Sequence, residues 1–367
     1  MSLPSRIDQV IPAIIEHDAV SNHTFEAQRL LREMGFDSEI YARIIGPGCG
    51  GRVRRLDELA GSSGDGTDGH WLLYQCSIGS PAADVFARHP GVKLLDYHNI
   101  TPAELVERWL PPLAEEARLG RAQLRTLAPV VTHAFADSAF NTGELRAAGF
   151  ASAEVSPLLI EAGNIEAPAD PAELSRLEAA KRGGGCDWLF VGQVAPHKAQ
   201  HDVVSAFACY RAAYDGAARL HLVGREMGRA YRDAVERFVV ELGLAEAVEL
   251  TGSVPTSALA AYYATADVFV SCSEHEGFSA PVVEAMHRRL PVVAFAAGAL
   301  PETVGDAGVL LGSKAPCIVA AAVHEVLSRP GARDALVSRG AERAGTYSLD
   351  AARTAFRSAV ETALVRR

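Results

Sequence analysis

Residues 273–308 read SEHEGFSAPVVEAMHRRLPVVAFAAGALPETVGDAG. Two glutamates, Glu276 and Glu284, stand in this stretch with seven residues between them. An apolar run, ADVFVSC (266–272), leads into it, and a second, PVVAF (291–295), lies within it. By period and by its breakers the segment is strand, tight loop, helix start, strand. Ser279 is placed to cap the helix, and Pro281 suits its first turn, where a missing N–H costs nothing. Unpaired N–H groups at such a helix start make an anion site, best suited to phosphate. Glu276 is expected on the loop that faces a ligand. Glu284, on the helix, is expected to face the crevice, where a carboxylate can accept two hydrogen bonds from a diol such as ribose.

Taken as a whole the stretch resembles the E-x7-E region of the family 4 retaining glycosyltransferases, which have the GT-B architecture. The resemblance is carried by Glu276-Gly277-Phe278-Ser279, Pro281, Glu284-Ala285-Met286, Pro291-Val292-Val293, Gly298 and Leu300-Pro301-Glu302. It implies an α/β chain of two doubly wound Rossmann-like domains facing across a cleft, with the last helix crossing back to the first domain. The expected division is 1–165 for an acceptor-binding domain, 166–185 for a linker, 186–347 for a nucleotide-sugar-binding domain and 348–367 for the returning helix.

Upstream, DWLFVGQVAPHKAQHDVVSAF (187–207) opens the second domain as strand, loop and helix. It resembles the family's V-G-R-x-x-x-x-K-G segment, so Lys198 matches a lysine that contacts the donor diphosphate. A lysine at a helix start is unfavourable against the dipole, and a phosphate role explains it. The family arginine is replaced by Gln193, which supplies neither charge nor a bidentate fork. Either Arg225 of LVGRE compensates or it is a solvated loop arginine and the diphosphate is held more weakly. Val254-Pro255, Leu259, Tyr263 and Ala266–Val270 match a further family phrase, which puts Val254 near the nucleobase pocket. The resemblance also gives the donor the amides of Gly277, Phe278 and Ser279 and the helix start through Ala280, Pro281 and Val282.

The first half alternates strands and helices: QVIPAII (9–15), SNHTFEAQRLLREMGF (21–36), SEIYARI (38–44), WLLYQC (71–76) and VKLLDYHNI (92–100). Such alternation implies a parallel doubly wound sheet. GSSGDGTDG (61–69) reads as a mobile loop. The loop EHDAVSNHT (16–24) follows the first strand, the usual ligand position in such a sheet. Asp18, Asn22 and His23 either line the acceptor site or only build the turn and cap the helix. DYHNITP (96–102) ends an apolar strand and resembles the strand end where the family places a histidine beside the donor sugar. The resemblance makes His98 a catalytic residue that hydrogen-bonds in the transition state, and Glu276 its counterpart on the sugar hydroxyls.

The 367 residues suffice for two cores, and 49% hydrophobic with 22% charged residues is ordinary for a globular chain. No apolar run reaches about 18 residues, so no membrane helix is expected, and the N-terminus does not read as a signal peptide. Six scattered cysteines, none in C-x-x-C spacing, fit buried thiols in a reducing cytoplasm. Residues 1–180 hold 15 basic and 25 acidic side chains, residues 181–367 hold 20 of each. An acidic first half argues against nucleic acid and against strong docking on anionic lipid. The expected location is the cytoplasm or the inner face of its membrane.

The implied chemistry is transfer of a sugar from a UDP- or GDP-sugar to a saccharide, lipid-linked or small-molecule acceptor, with retention of configuration. No cofactor is expected beyond that co-substrate. No D-x-D occurs, and a site without metal is expected, with Lys198 and the helix start neutralising the diphosphate. A sugar-nucleotide epimerase of similar architecture and a nucleotide-sugar-binding protein of little activity are the alternatives. A dinucleotide dehydrogenase is disfavoured, because no G-x-G-x-x-G follows the first strand.

Overall fold

The computed structural model describes residues 4–16, 18–61, 69–160 and 167–366. The 61–69 loop therefore falls almost wholly outside the described residues. The chain forms two compact units. One comprises Met1–Ala103, Pro112–Glu161 and Ser348–Arg367; the other comprises Glu104–Pro111 and Ala162–Tyr347.

The first unit holds seven parallel strands: β1 (Arg6–Ile14), β2 (Ile40–Ile45), β3 (Arg54–Arg55), β4 (His70–Cys76), β5 (Lys93–Tyr97), β6 (His133–Ala136) and β7 (Ala153–Val155). Their order is β3-β2-β1-β4-β5-β6-β7. The central strands are buried and mostly apolar, as in a parallel sheet covered on both faces, with Asp8, Gln9, Gln75 and Asp96 as buried polar exceptions. The order reverses between β1 and β4, and loops at the carboxyl ends beside such a reversal are where doubly wound sheets take ligands. The final helix, Leu349–Arg366, belongs to this unit. Its Ala352, Phe356, Ala359, Val360 and Ala363 are buried with Ile7, Leu30 and Phe135.

The second unit holds six parallel strands: β8 (Asp187–Val191), β9 (Arg219–Val223), β10 (Val248–Gly252), β11 (Val268–Ser271), β12 (Val292–Phe295) and β13 (Val309–Leu311). Their order is β10-β9-β8-β11-β12-β13, with the reversal between β8 and β11. Trp188, Phe190, Phe207 and Val270 anchor its core.

Two stretches differ from the sequence expectation. Residues 104–111 group with the second unit, where Trp109 meets the edge of Tyr231 at 5.4 Å. The helix Pro171–Lys181, read as linker, is packed into the second unit as well. Its Leu177 is buried, Arg176 bonds Glu249 and the Tyr262 hydroxyl, and Lys181 pairs with Asp267 at 2.8 Å. Alanine, proline and charge looked like a spacer, but a buried leucine and two tethered cations dock the helix.

Candidate functional site

The two strands flanking the reversal in the second unit deliver the residues that meet. After β8 the chain passes Gly192 and Gln193 into the turn Pro196–Lys198. After β11 it passes Ser273 to Glu276. Lys198 Nζ lies 2.6 Å from Glu276 Oε2, with side chains 19% and 8% exposed. The backbone of Glu276 is fixed from behind. Its carbonyl accepts the Ala299 N–H at 2.8 Å. A Cβ on Gly298, whose φ is +56°, would lie 2.3 Å from that carbonyl oxygen.

Two helices start at this end of the sheet, Gln200–Ala213 and Ala280–His287. Each begins behind a non-glycine residue in the left-handed region, Ala199 (φ 50°) and Ser279 (φ 72°), and neither start has a side-chain cap. This corrects the reading of Ser279 as a capping hydroxyl. It holds the N-cap position, but capping needs an extended backbone. The left-handed conformation costs roughly 1–2 kcal/mol, and it leaves first-turn amides open to an anion. Pro281 does sit in the first turn.

The rest of the loop divides by direction. Phe278 and Val282 are buried side chains. Phe278 packs edge-on to Tyr347 at 5.1 Å, and its carbonyl accepts the Thr303 hydroxyl at 2.6 Å. These two can therefore serve a ligand only through the main chain. Gly277, Ser279, Ala280 and Pro281 are half-buried. The half-buried Glu284 accepts the Tyr263 hydroxyl at 2.8 Å. Burial raises its carboxyl above the ordinary range, against the pull of the Tyr263 hydrogen bond and the Arg288 charge.

Gln193 and Arg225 occupy neighbouring loops. The Val194 N–H donates to the Arg225 carbonyl at 2.9 Å, and the Gln193 carbonyl accepts the Gln200 side chain at 2.8 Å. Gly224 has to be glycine, since a Cβ there would lie 2.0 Å from the Gly192 carbonyl oxygen. The Arg225 side chain is exposed. Val254 is half-buried ahead of the helix Thr256–Thr265. Sequence reasoning passed over Lys314, whose ammonium bridges Asp202 (2.5 Å) and Glu274 (2.6 Å). The only signal was its position after an apolar strand.

In the first unit, His98 stands directly after β5 with its side chain fully buried. Its Nδ1 faces Asp137 at 3.0 Å and its Nε2 faces Gln75 Oε1 at 2.5 Å. The Thr24 carbonyl can only accept, so Gln9 donates to it at 3.0 Å. Gln75 then donates to Gln9 at 2.7 Å, and the Gln75 oxygen must accept from His98. Burial alone would lower the His98 pKa, but the charges of Asp137 and Asp96 outweigh it and raise it to about 9. Both ring nitrogens are thus engaged inside the unit. This departs from the expectation of a side chain presented to a donor sugar, because two buried acceptors hold the ring first.

His23 is likewise buried. Its Nδ1 accepts the Leu159 N–H at 3.0 Å and its Nε2 meets Asp96 Oδ2 at 2.8 Å. Both ring nitrogens of His23 are therefore engaged within the unit, in keeping with the turn-building alternative. Asp18 caps the helix Ala19–Glu33 by accepting the Ser21 N–H at 3.1 Å. Asn22 is half-buried on the same turn.

His23, Asp96 and His98 bring three ligand-type atoms within 4.8 Å of one another. A cation there would need His23 to bind through Nε2 and carry its proton on Nδ1. That nitrogen already accepts an amide hydrogen, so the donor set fits a proton-sharing network better than a metal.

Comparison with known proteins bears on the second unit above all. Residues 185–329 match the family model described as "Glycosyl transferases group 1". A D-inositol 3-phosphate glycosyltransferase of Thermomonospora curvata is 34% identical over 171 residues, 44% of this chain and 39% of that protein. A GDP-mannose-dependent alpha-(1-6)-phosphatidylinositol monomannoside mannosyltransferase of Mycobacterium tuberculosis is 33% identical over 182 residues, 47% of this chain and 46% of that protein. The chain thus spans under half the length of these relatives. HepE of Anabaena, solved with UDP and glucose, superposes with a TM-score of 0.73 over 97% of this chain and 99% of its own, at 15% identity. The fold is that of the GT-B glycosyltransferases.

Proposed function

We propose that this chain, whose residues 185–329 carry the group 1 glycosyltransferase domain, transfers a sugar from a nucleoside-diphosphate sugar to an acceptor hydroxyl. Configuration is retained and no metal is used. The observation that carries the reading is the convergence of Lys198, Glu276 and two uncapped helix starts beside the β8/β11 reversal.

The second unit holds the donor. Lys198 and the amides at Ser279 and Ala280 take the diphosphate, a charge load suited to helix starts and an ammonium. Glu284, oriented by Tyr263, accepts from the ribose hydroxyls. Val254 lies toward the base. Arg225 supplies the cation that Gln193 cannot. Glu276 accepts from the sugar hydroxyls. As the sugar–phosphate bond lengthens, negative charge grows on the diphosphate, and the fixed positive groups stabilise it there. The departing phosphate oxygen takes the acceptor proton, so the protein's part is positioning and electrostatics.

The first unit holds the acceptor, a saccharide, lipid-linked or small polyol. His98 acts through its network, keeping the loop after β5 in shape. UDP and GDP are the nucleoside diphosphates to test first, since one neighbour was solved with UDP and one relative is named for GDP-mannose. The cytoplasm is the proposed place of action.

Thermal unfolding with UDP, GDP, ADP and TDP tests the donor site. A ligand at a hundredfold excess over its dissociation constant adds about 2.7 kcal/mol of stability. One diphosphate should stabilise the native protein and stabilise Lys198→Ala and Glu284→Ala less. No response to any of them overturns the reading.

A further inference from the structure

The contact between Lys198 and Glu276 limits what the donor site can hold. The Lys198 ammonium has the Glu276 carboxylate at 2.6 Å. The neighbouring acids offer Lys198 no other partner, because Asp202 and Glu274 are bound to Lys314. Nor can the loop carry Glu276 away. Its carbonyl is tied to Ala299, and the Gly298 Cα packs directly behind it. With its backbone held, Glu276 can leave Lys198 only by rotation of its side chain.

A diphosphate arriving at Lys198 meets an ammonium whose field is cancelled and a carboxylate that repels it. The carboxylate has to turn aside. With a nucleoside diphosphate alone it then gains nothing in return. With a nucleotide sugar it gains hydroxyl donors at the place it turns to. Resting on the donor site proposed above, we infer that Glu276 discriminates the nucleotide sugar from the spent nucleoside diphosphate by closing on Lys198 whenever no sugar is present. The same side chain that reads the sugar then competes with the product diphosphate for its cation and favours product release.

Calorimetric titration of the full chain tests this, using the nucleoside diphosphate that the native protein binds, its nucleotide sugar and the bare nucleoside. Glu276→Gln keeps the shape and removes the charge. It should bind the diphosphate roughly tenfold more tightly, the scale of one removed repulsion at short range. It should bind the nucleotide sugar no more tightly than the native protein does, and the nucleoside unchanged. Glu276→Ala should show the same gain for the diphosphate, and the gain should vanish in Glu276→Gln/Lys198→Ala. Unchanged or weaker diphosphate binding by both folded Glu276 variants overturns the inference and leaves the donor site standing. A native protein that binds no diphosphate overturns both.

Discussion

The imidazoles of His23 and His98 stand edge to face inside the first unit, ring centroids 4.8 Å apart. Their neighbours commit them to different hydrogen-bonding roles. The Leu159 amide donates to His23 Nδ1, which leaves Nε2 as the nitrogen that donates to Asp96. His98 donates from Nε2 to Gln75 and lies against Asp137 with Nδ1.

This arrangement makes the first unit's stability depend on pH. His98 has its pKa raised from 6.5 to about 9, because Asp137 and Asp96 overcome the effect of burial. Its stabilising contribution is full below pH 6.5, where the unfolded histidine is also protonated, and is lost as pH rises to about 9. Denaturant titrations across that window should show stability falling by a few kcal/mol, at about 1.4 kcal/mol for each tenfold difference in proton affinity between the folded and unfolded chain. His98→Gln should flatten the slope. An equal slope in the variant would contradict the assignment.

Tyr263→Phe removes the hydroxyl that Glu284 accepts. The half-buried carboxylate then lacks that donor, at a cost of about 1–2 kcal/mol. Chemical denaturation measures the loss. Because the Tyr263 bond holds the Glu284 pKa down against burial, the variant should also gain stability on acidification relative to the native chain.

Gly298→Ala places a methyl against the Glu276 carbonyl in a left-handed backbone. We expect a loss of roughly 2–4 kcal/mol from strain and overlap together. Donor affinity should fall in the same variant, since the Glu276 loop has to move. A folded variant with native stability would show that the loop is less fixed than the contacts with Gly298 and Ala299 imply.

Arg225→Ala should weaken nucleoside-diphosphate binding several-fold and leave nucleoside binding unchanged, on the scale of a charge-assisted contact. Gln193→Arg in that background should restore it, because the two loops are neighbours through Val194. Titration of the single and double variants decides whether the cation has moved between the positions.

Much of this was legible in the chain. The apolar runs at 187–191 and 268–271 gave strands β8 and β11, and the loops after them hold Lys198 and Glu276. What the sequence hid was the environment of single polar residues. His23 reads as a loop-end histidine, yet its partners Asp96 and Leu159 lie 73 and 136 residues on. Ser279 has a capping residue's identity but not its backbone. Lys314 is bound to acids 112 and 40 residues away, which no local pattern encodes. Periodicity reports which face is buried, not which distant side chain meets a polar group there.

The most direct measurement follows the anomeric proton by NMR in a chelator, with UDP- and GDP-sugars and saccharide or polyol acceptors. One donor should be consumed only when acceptor is present. The new glycosidic signal should keep the donor's configuration, and Lys198→Ala should abolish it. Consumption of no donor, or release of sugar and nucleotide at one rate with and without acceptor, would contradict it.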